Sequence, residues 1–322
     1  MAQARTTEAF FYKTVAKHQE GDLCGAEKGY RKILRHAPNN VATLINFGIL
    51  LKERDELKKA FELFTQAVSL APEHADGHTN LGSLYARLGK KYKAISCYRT
   101  ALELEPDSAD ALINLGIALR IIGQYVEAYE LLTRAIKIDP DRAVAHEELA
   151  AVFREWGAVG KARAHLQRAL EIDPANSLLK LKLATLLPVI AKSTDQIIEY
   201  REHFARELSN LAKQDIVIEN PAWAIERTNF YLAYHGMDDK PLQEIAAQFF
   251  QRACPSLNFV APHCGSGVPE NIERPIRLGI ISRYFRDHAI GWTFGRALSA
   301  YPRSHFRTLS VIKTYGTTDP AS

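Results

Sequence analysis

A chain of 322 residues, 47% apolar and 24% charged, is long enough for two domains and has the make-up of an ordinary globular protein rather than a disordered one. A formal charge of +4, spread along the chain, is too small to argue for nucleic acid by itself. A basic bias after Glu270 fits a sugar-phosphate ligand, a missing acidic neighbour or no function at all. No apolar run approaches the length of a membrane span, and Met1 to Tyr12 lacks the apolar core of a signal peptide, so a cytoplasmic protein is expected.

Prolines at Pro38, Pro72, Pro106, Pro140 and Pro174 recur every 34 residues, and each closes a block of the same pattern. From Ala75 to Pro106 that pattern is Leu81-Gly82, Tyr85, Ala94, Tyr98 and Ala101. The preceding block answers with Phe47-Gly48, Leu51, Ala60, Phe64 and Ala67. The two that follow give Leu115-Gly116, Leu119, Ala128, Leu132 and Ala135, then Leu149-Ala150, Phe153, Ala162, Leu166 and Ala169. This period and spacing resemble tetratricopeptide repeats, each a helix, a turn and a second helix. Gly or Ala inside the first helix lets its partner approach, and the larger residues fill the gaps between blocks, so stacking is required. The first copy, from about Thr7 to Pro38, keeps Phe10, Ala26, Tyr30 and Ile33 but puts Lys13, Thr14 and Lys17 where apolar residues belong, as an end cap would. A partial copy begins near Ser177, keeps Leu183-Ala184 and Leu187, and stops at Pro188. A superhelix over residues 1–190 is expected.

Residues 191–270 break the period. Ser193 followed by Gln196 is a capping-box pattern, and Ile197, Phe204, Leu208 and Leu211 then recur at helical spacing. A second helix is expected around Trp223 to Tyr234, broken at His235-Gly236, and a third after Pro241 with Leu242, Ile245, Phe249 and Phe250 on one face. Cys254 to Arg274, rich in Pro, Gly, Ser and Asn, reads as loop. His263-Cys264 lies in it without further ligands at metal spacing. Cys24, Cys97, Cys254 and Cys264 form no CxxC pattern and read as free thiols, with Cys97 in the repeat core. In residues 271–322, Ile276 to Ser282 is a nearly continuous apolar run typical of a buried parallel strand; a helix over Trp292 to Ala300 and a strand over Thr308 to Ile312 follow. The expected fold is mainly α: a superhelix, a helical connector and the first βαβ unit of a Rossmann-like domain.

At the carboxyl end of the first strand, Arg283, Arg286, Asp287 and His288 form a cluster that fits phosphate binding, proton transfer or a solvated loop. Ile276 to Gly291, with Ser282, Phe285-Arg286-Asp287-His288 and Gly291 in register, resembles the start of the catalytic domain of the O-linked N-acetylglucosamine transferase family, including its SPINDLY-type and bacterial members. Leu187-Pro188-Val189, the helix from Tyr200 to Leu211, Asn229 to Gly236 and Ala253-Cys254-Pro255 resemble that family's link between repeats and enzyme. Tyr284 and Ala289 depart from the Asp and Pro of many members.

The resemblance implies a lobe of the GT-B type and transfer of N-acetylglucosamine from a UDP donor to Ser or Thr of polypeptides. No metal or other cofactor is implied, and the active-site histidine falls at His288. The family's second lobe, which holds the nucleotide, has no counterpart after Ser322, so no appreciable transferase activity is expected of the chain as given. The alternative is a non-catalytic protein-interaction module.

Asn46, Asn80 and Asn114 hold one position of successive repeats, and stacking sets them in a row on the first helices, which line the concave face. A carboxamide donates and accepts, so such a ladder can hold the backbone of an extended polypeptide. In the resembled family a comparable ladder holds protein substrates. Asn before Leu-Gly is also a common incidental feature of these repeats, and the row breaks at Tyr12 and Glu148. His78 and His146 occupy the site of a large aromatic, where packing is expected, as it is for Trp156-Gly157. Polypeptide partners on the concave face, without nucleic acid or membrane, complete the expectation.

Overall fold

The computed structural model describes residues 2–188, 190–219, 230–258, 276–281 and 306–311. They fall in two compact units, Met1–Asn258 and Phe259–Ser322.

The first unit is helical. Its repeats are the pairs α1 (Ala2–Gln19) with α2 (Leu23–His36), α3 (Val41–Glu53) with α4 (Leu57–Leu70), α5 (Ala75–Arg87) with α6 (Lys91–Leu104), α7 (Ala109–Ile121) with α8 (Tyr125–Ile138), and α9 (Ala143–Glu155) with α10 (Val159–Ile172). The turn inside each pair needs one residue in the left-handed region, and it comes at the repeat period: Gly21, Asp55, Gly89, Gly123 and Gly157 all have positive φ. Where no glycine stands, Asp55 takes φ 62°, a conformation Asp tolerates better than most side chains.

The two helices of a pair meet at the small residue of the first. A Cβ on Gly48 would lie 2.5 Å from the Phe64 ring, on Gly82 2.7 Å from the Tyr98 ring, and on Gly116 2.8 Å from Leu132. In the first repeat the small residue has changed sides. Thr14 fills the glycine's position, is 2% exposed and donates its hydroxyl to Phe10 O at 2.8 Å, while the opposing helix supplies Gly29, whose Cβ would stand 2.5 Å from Thr14. The first copy therefore packs like the others, and the expected polar cap holds for Lys13, which is exposed, and in part for Lys17, which is half-buried, but not for Thr14.

From α1 to α9 the first helices touch in succession, α1 on α3, α3 on α5, α5 on α7 and α7 on α9, while second helices make no comparable contact with one another. The row of first helices is thus the crowded, inner side of the stack, and the second helices splay outward.

Helix α11 (Ser177–Ala184) starts a sixth repeat, capped by Asn176, whose side chain accepts from Leu178 N and Leu179 N. Instead of a matching second helix come Leu186 and Leu187, both buried. Helix α12 (Thr194–Leu211) begins at Ser193, whose side chain accepts from Gln196 N at 3.2 Å; Gln196 Oε1 accepts from Lys192 N rather than from Ser193 N, one residue earlier than a strict capping box. A short 3₁₀ turn (Phe230–His235) stands where the second connector helix is expected to end; the segment from Trp223 to Asn229 lies outside the described residues. Helix α13 (Lys240–Ala253) follows with a proline in its first turn.

The connector shares one core with the last repeat helix: Leu181, Ala184 and Leu187 cluster with Phe204, Leu208, Leu211, Leu232, Leu242 and Phe249, and Ile245 and Phe250 pack on the margin. Polar ties reinforce it. Arg201 on α12 pairs with Asp239 at 2.5 Å, and the Arg163 guanidinium of α10 lies 5.7 Å from the Tyr200 ring centroid.

In the second unit, strands β1 (Ile276–Ile281) and β2 (Phe306–Val311) pair in parallel, with Ile276 opposite Phe306 and Ile281 opposite Val311. β2 begins two residues before the predicted Thr308. The crossover, including the predicted helix Trp292 to Ala300, lies outside the described residues, so a βαβ unit is not shown.

The inner face of the repeats as candidate functional site

Counting in steps of 34 from Asn46, the inner row reads Tyr12, Asn46, Asn80, Asn114, Glu148 and Lys182. Tyr12 is 62% exposed, and the three asparagines are half-buried on successive first helices. Asn46 Nδ2 donates to Ala42 O and Asn80 Nδ2 to Asp76 O, each at 2.9 Å and each one turn back in its own helix. These bonds fix the carboxamides while leaving Oδ1 and the second N–H for a partner.

Beyond Asn114 the row becomes charged. Glu148 is paired with Arg120 at 2.6 Å, with side-chain exposures of 11% and 14%, and Lys182 with Glu147 at 2.6 Å. Both pairs span neighbouring repeats, so they tie the stack together where the asparagine row ends. The sequence marks the break at Glu148, but the pairing was not legible, because Arg120 and Glu148 meet only when the fourth and fifth repeats stack.

Position 52 contributes a third kind of group. Lys52, half-buried in the last turn of α3, donates to Ser83 Oγ at 3.2 Å, and Ser83 is one turn along α5 from Asn80. Burial pushes this ammonium below its usual range, Glu53 opposes that, and Arg87 adds to it. Nothing in the sequence pattern singled it out.

The histidines behave as packing residues with a shared device. His78 Nε2 stands 2.8 Å from Pro72 O and His146 Nε2 3.2 Å from Pro140 O, so both rings bond the carbonyl of the proline that closes the preceding block. His146 is 7% exposed and also meets His165, Nδ1 to Nδ1 at 3.0 Å. Burial lowers the pKa of both. Trp156 packs on Tyr129 of the preceding repeat, with ring centroids 5.4 Å apart, as inter-repeat packing requires. Cys97 is half-buried on the margin of the repeat core, and burial pushes its thiol up.

Among the described residues, no three His, Cys, Asp or Glu side chains converge as metal ligands, and no helix is long and apolar enough to cross a membrane. His288, with Arg283, Arg286, Asp287, His263 and Cys264, lies outside the described residues.

Comparison with known proteins agrees on the repeats. Residues 56–152 match a family model described as the middle TPR-like domain of cilia and flagella-associated protein 70. Among solved structures, PilW, described as a widely conserved type IV pilus biogenesis factor, is 19% identical with a TM-score of 0.55, over 71% of this chain and 97% of that one. A tetratricopeptide repeat protein from Parabacteroides merdae is 18% identical with a TM-score of 0.50, over 76% and 99%. A thermophilic TPR protein from Thermus thermophilus is 19% identical with a TM-score of 0.50, over 56% and 98%. At these identities the likeness is one of fold. No curated protein matches the chain. None of these matches supports the glycosyltransferase resemblance; what they share with this chain is a superhelix of tetratricopeptide repeats.

Proposed function

We propose that this protein is an interaction module whose inner helices hold an extended polypeptide by its backbone. The row of Asn46, Asn80 and Asn114 carries the reading, because it repeats one carboxamide at one register on the crowded side of the stack. A peptide backbone offers N–H and C=O groups at regular intervals, and a carboxamide answers both without reading side chains.

The test is fluorescence anisotropy with N-acetylated, C-amidated peptides built from Ala, Ser and Thr in several unrelated orders. Replacing all three asparagines by Ala removes about 1 kcal/mol per lost bond, so Kd should rise roughly 100-fold for every peptide alike. Equal affinity for the wild-type and triple-Ala chains would remove the ladder from the account.

The parallel pairing of β1 with β2 favours a second reading, the protein O-glycosyltransferase with His288 in the active site and UDP-N-acetylglucosamine as donor substrate, without a metal. The module reading expects labelled donor and a Ser/Thr-rich peptide to give the same background with the chain and with His288→Ala. Multiple-turnover transfer that His288→Ala abolishes would instead establish the enzyme.

A further inference from the structure

We infer that the bound polypeptide carries an acidic side chain, received by Lys52 between the first and second rungs of the asparagine row. This rests on the interaction-module reading and adds a specificity determinant to it.

Lys52 is a cation in an incomplete setting. It is half-buried in the inner row, its Nζ donates to a neutral oxygen, Ser83 Oγ, and among the described residues it makes no ion pair. Of its two nearest carboxylates along the chain, Asp55 meets Arg87 at 3.0 Å, and Glu53, which favours the ammonium through space without bonding it, meets His18 Nε2 at 2.9 Å. A second cation stands close by, because Arg87 also donates to the backbone carbonyl of Lys52 at 2.7 Å. Two cations on a partly desolvated wall, one paired and one not, favour an incoming anion.

The contrast with the other end of the row is informative. Arg120 and Lys182 each already hold a glutamate, so the charged end of the groove is self-complementary while the asparagine end is not. The anion is a side-chain carboxylate rather than a chain end, because Lys52 reaches Ser83 of α5 and so stands between the helices of Asn46 and Asn80, with the exposed Tyr12 preceding the one and Asn114 following the other. A backbone-bound chain runs past this point, and having no register of its own it slides until its carboxylate reaches the ammonium.

The probe is a set of Ala/Ser/Thr peptides of one length: capped with a single central Glu, capped with Gln at that place, and the Gln peptide with a free C-terminal carboxylate. Each is titrated into the wild-type chain and Lys52→Met, which keeps the aliphatic stem and removes the ammonium. Far-UV circular dichroism controls for folding.

A half-buried charge-assisted bond should make the Glu peptide bind about tenfold more tightly than the Gln peptide to the wild-type chain, and the two equally to Lys52→Met. Equal binding of Glu and Gln peptides to the wild-type chain overturns the inference and leaves the module reading intact. A Glu preference that survives in Lys52→Met assigns it to another cation and overturns it too. A gain confined to the free-acid peptide shows a chain-end site instead. Binding of none of the peptides removes both this inference and the reading beneath it.

Discussion

The close approach of helices within each repeat makes one substitution change sign with position. In Gly82→Ala the new methyl would lie 2.7 and 2.9 Å from Tyr98 Cε1 and Cδ1 and 3.2 Å from Cys97 Cβ. Tyr98 is 2% exposed, so its ring has little room to retreat. Alanine gains about 1 kcal/mol over glycine in a helix interior, whereas overpacking a filled core costs about 1–3 kcal/mol. The net expectation is a loss of about 1 kcal/mol. Gly160→Ala, in the first turn of α10, meets no atom within 4 Å and should gain about 0.5 kcal/mol from propensity alone. Urea unfolding followed by far-UV circular dichroism measures both, with the midpoint moving down for Gly82→Ala and up for Gly160→Ala. The fifth repeat supplies an internal control, because it already pairs Ala150 with Leu166 in that core. Adding Tyr98→Leu to Gly82→Ala copies that pair, so the clash should disappear and the double variant should be more stable than the two single effects summed. If Gly82→Ala stabilises as much as Gly160→Ala, the helices are not in the contact that the packing argument requires.

Acidification should weaken the fold. Burial holds His146, His165, His203 and His235 below the usual histidine value of 6.5, so the folded chain keeps them neutral where the unfolded chain takes up protons. Their contribution is complete above about pH 6.5 and is lost as pH falls through the folded values, so the urea midpoint should be lower at about pH 5.5 than at about pH 7.5. An equal or higher midpoint in acid would contradict the neutral buried imidazoles. Arg201→Leu strands Asp239 in a setting where the pair's side chains are 12% and 23% exposed, and should cost about 2 kcal/mol; hydrogen exchange should show faster opening of α12 and α13 than of α5 to α8. Ser193→Ala removes the acceptor for Gln196 N and should cost about 1 kcal/mol, with no change in peptide affinity, because the cap lies far along the chain from the asparagine row.

Much of the repeat architecture was determined by the sequence itself. A spacing of 34 residues places small, aromatic and proline residues where two helices and a turn need them, and local rules of turn, cap and period then act the same way in each copy. The inner row of Asn46, Asn80 and Asn114 was legible for the same reason, since identical register in identical units means identical placement. What needed tertiary structure were the features that depend on two segments meeting. Thr14 looked misplaced until Gly29 was seen opposite it, because steric fit is a property of the pair and periodicity describes one helix at a time. Glu148 looked like a broken rung, and only stacking shows that Arg120 from the preceding repeat engages it. Lys52 carries no motif at all. Its desolvation, its neutral partner Ser83 and the commitment of Glu53 and Asp55 to other groups exist only once α3 and α5 lie side by side, because burial and competition for counter-charges are set by the packed surroundings and not by the order of residues.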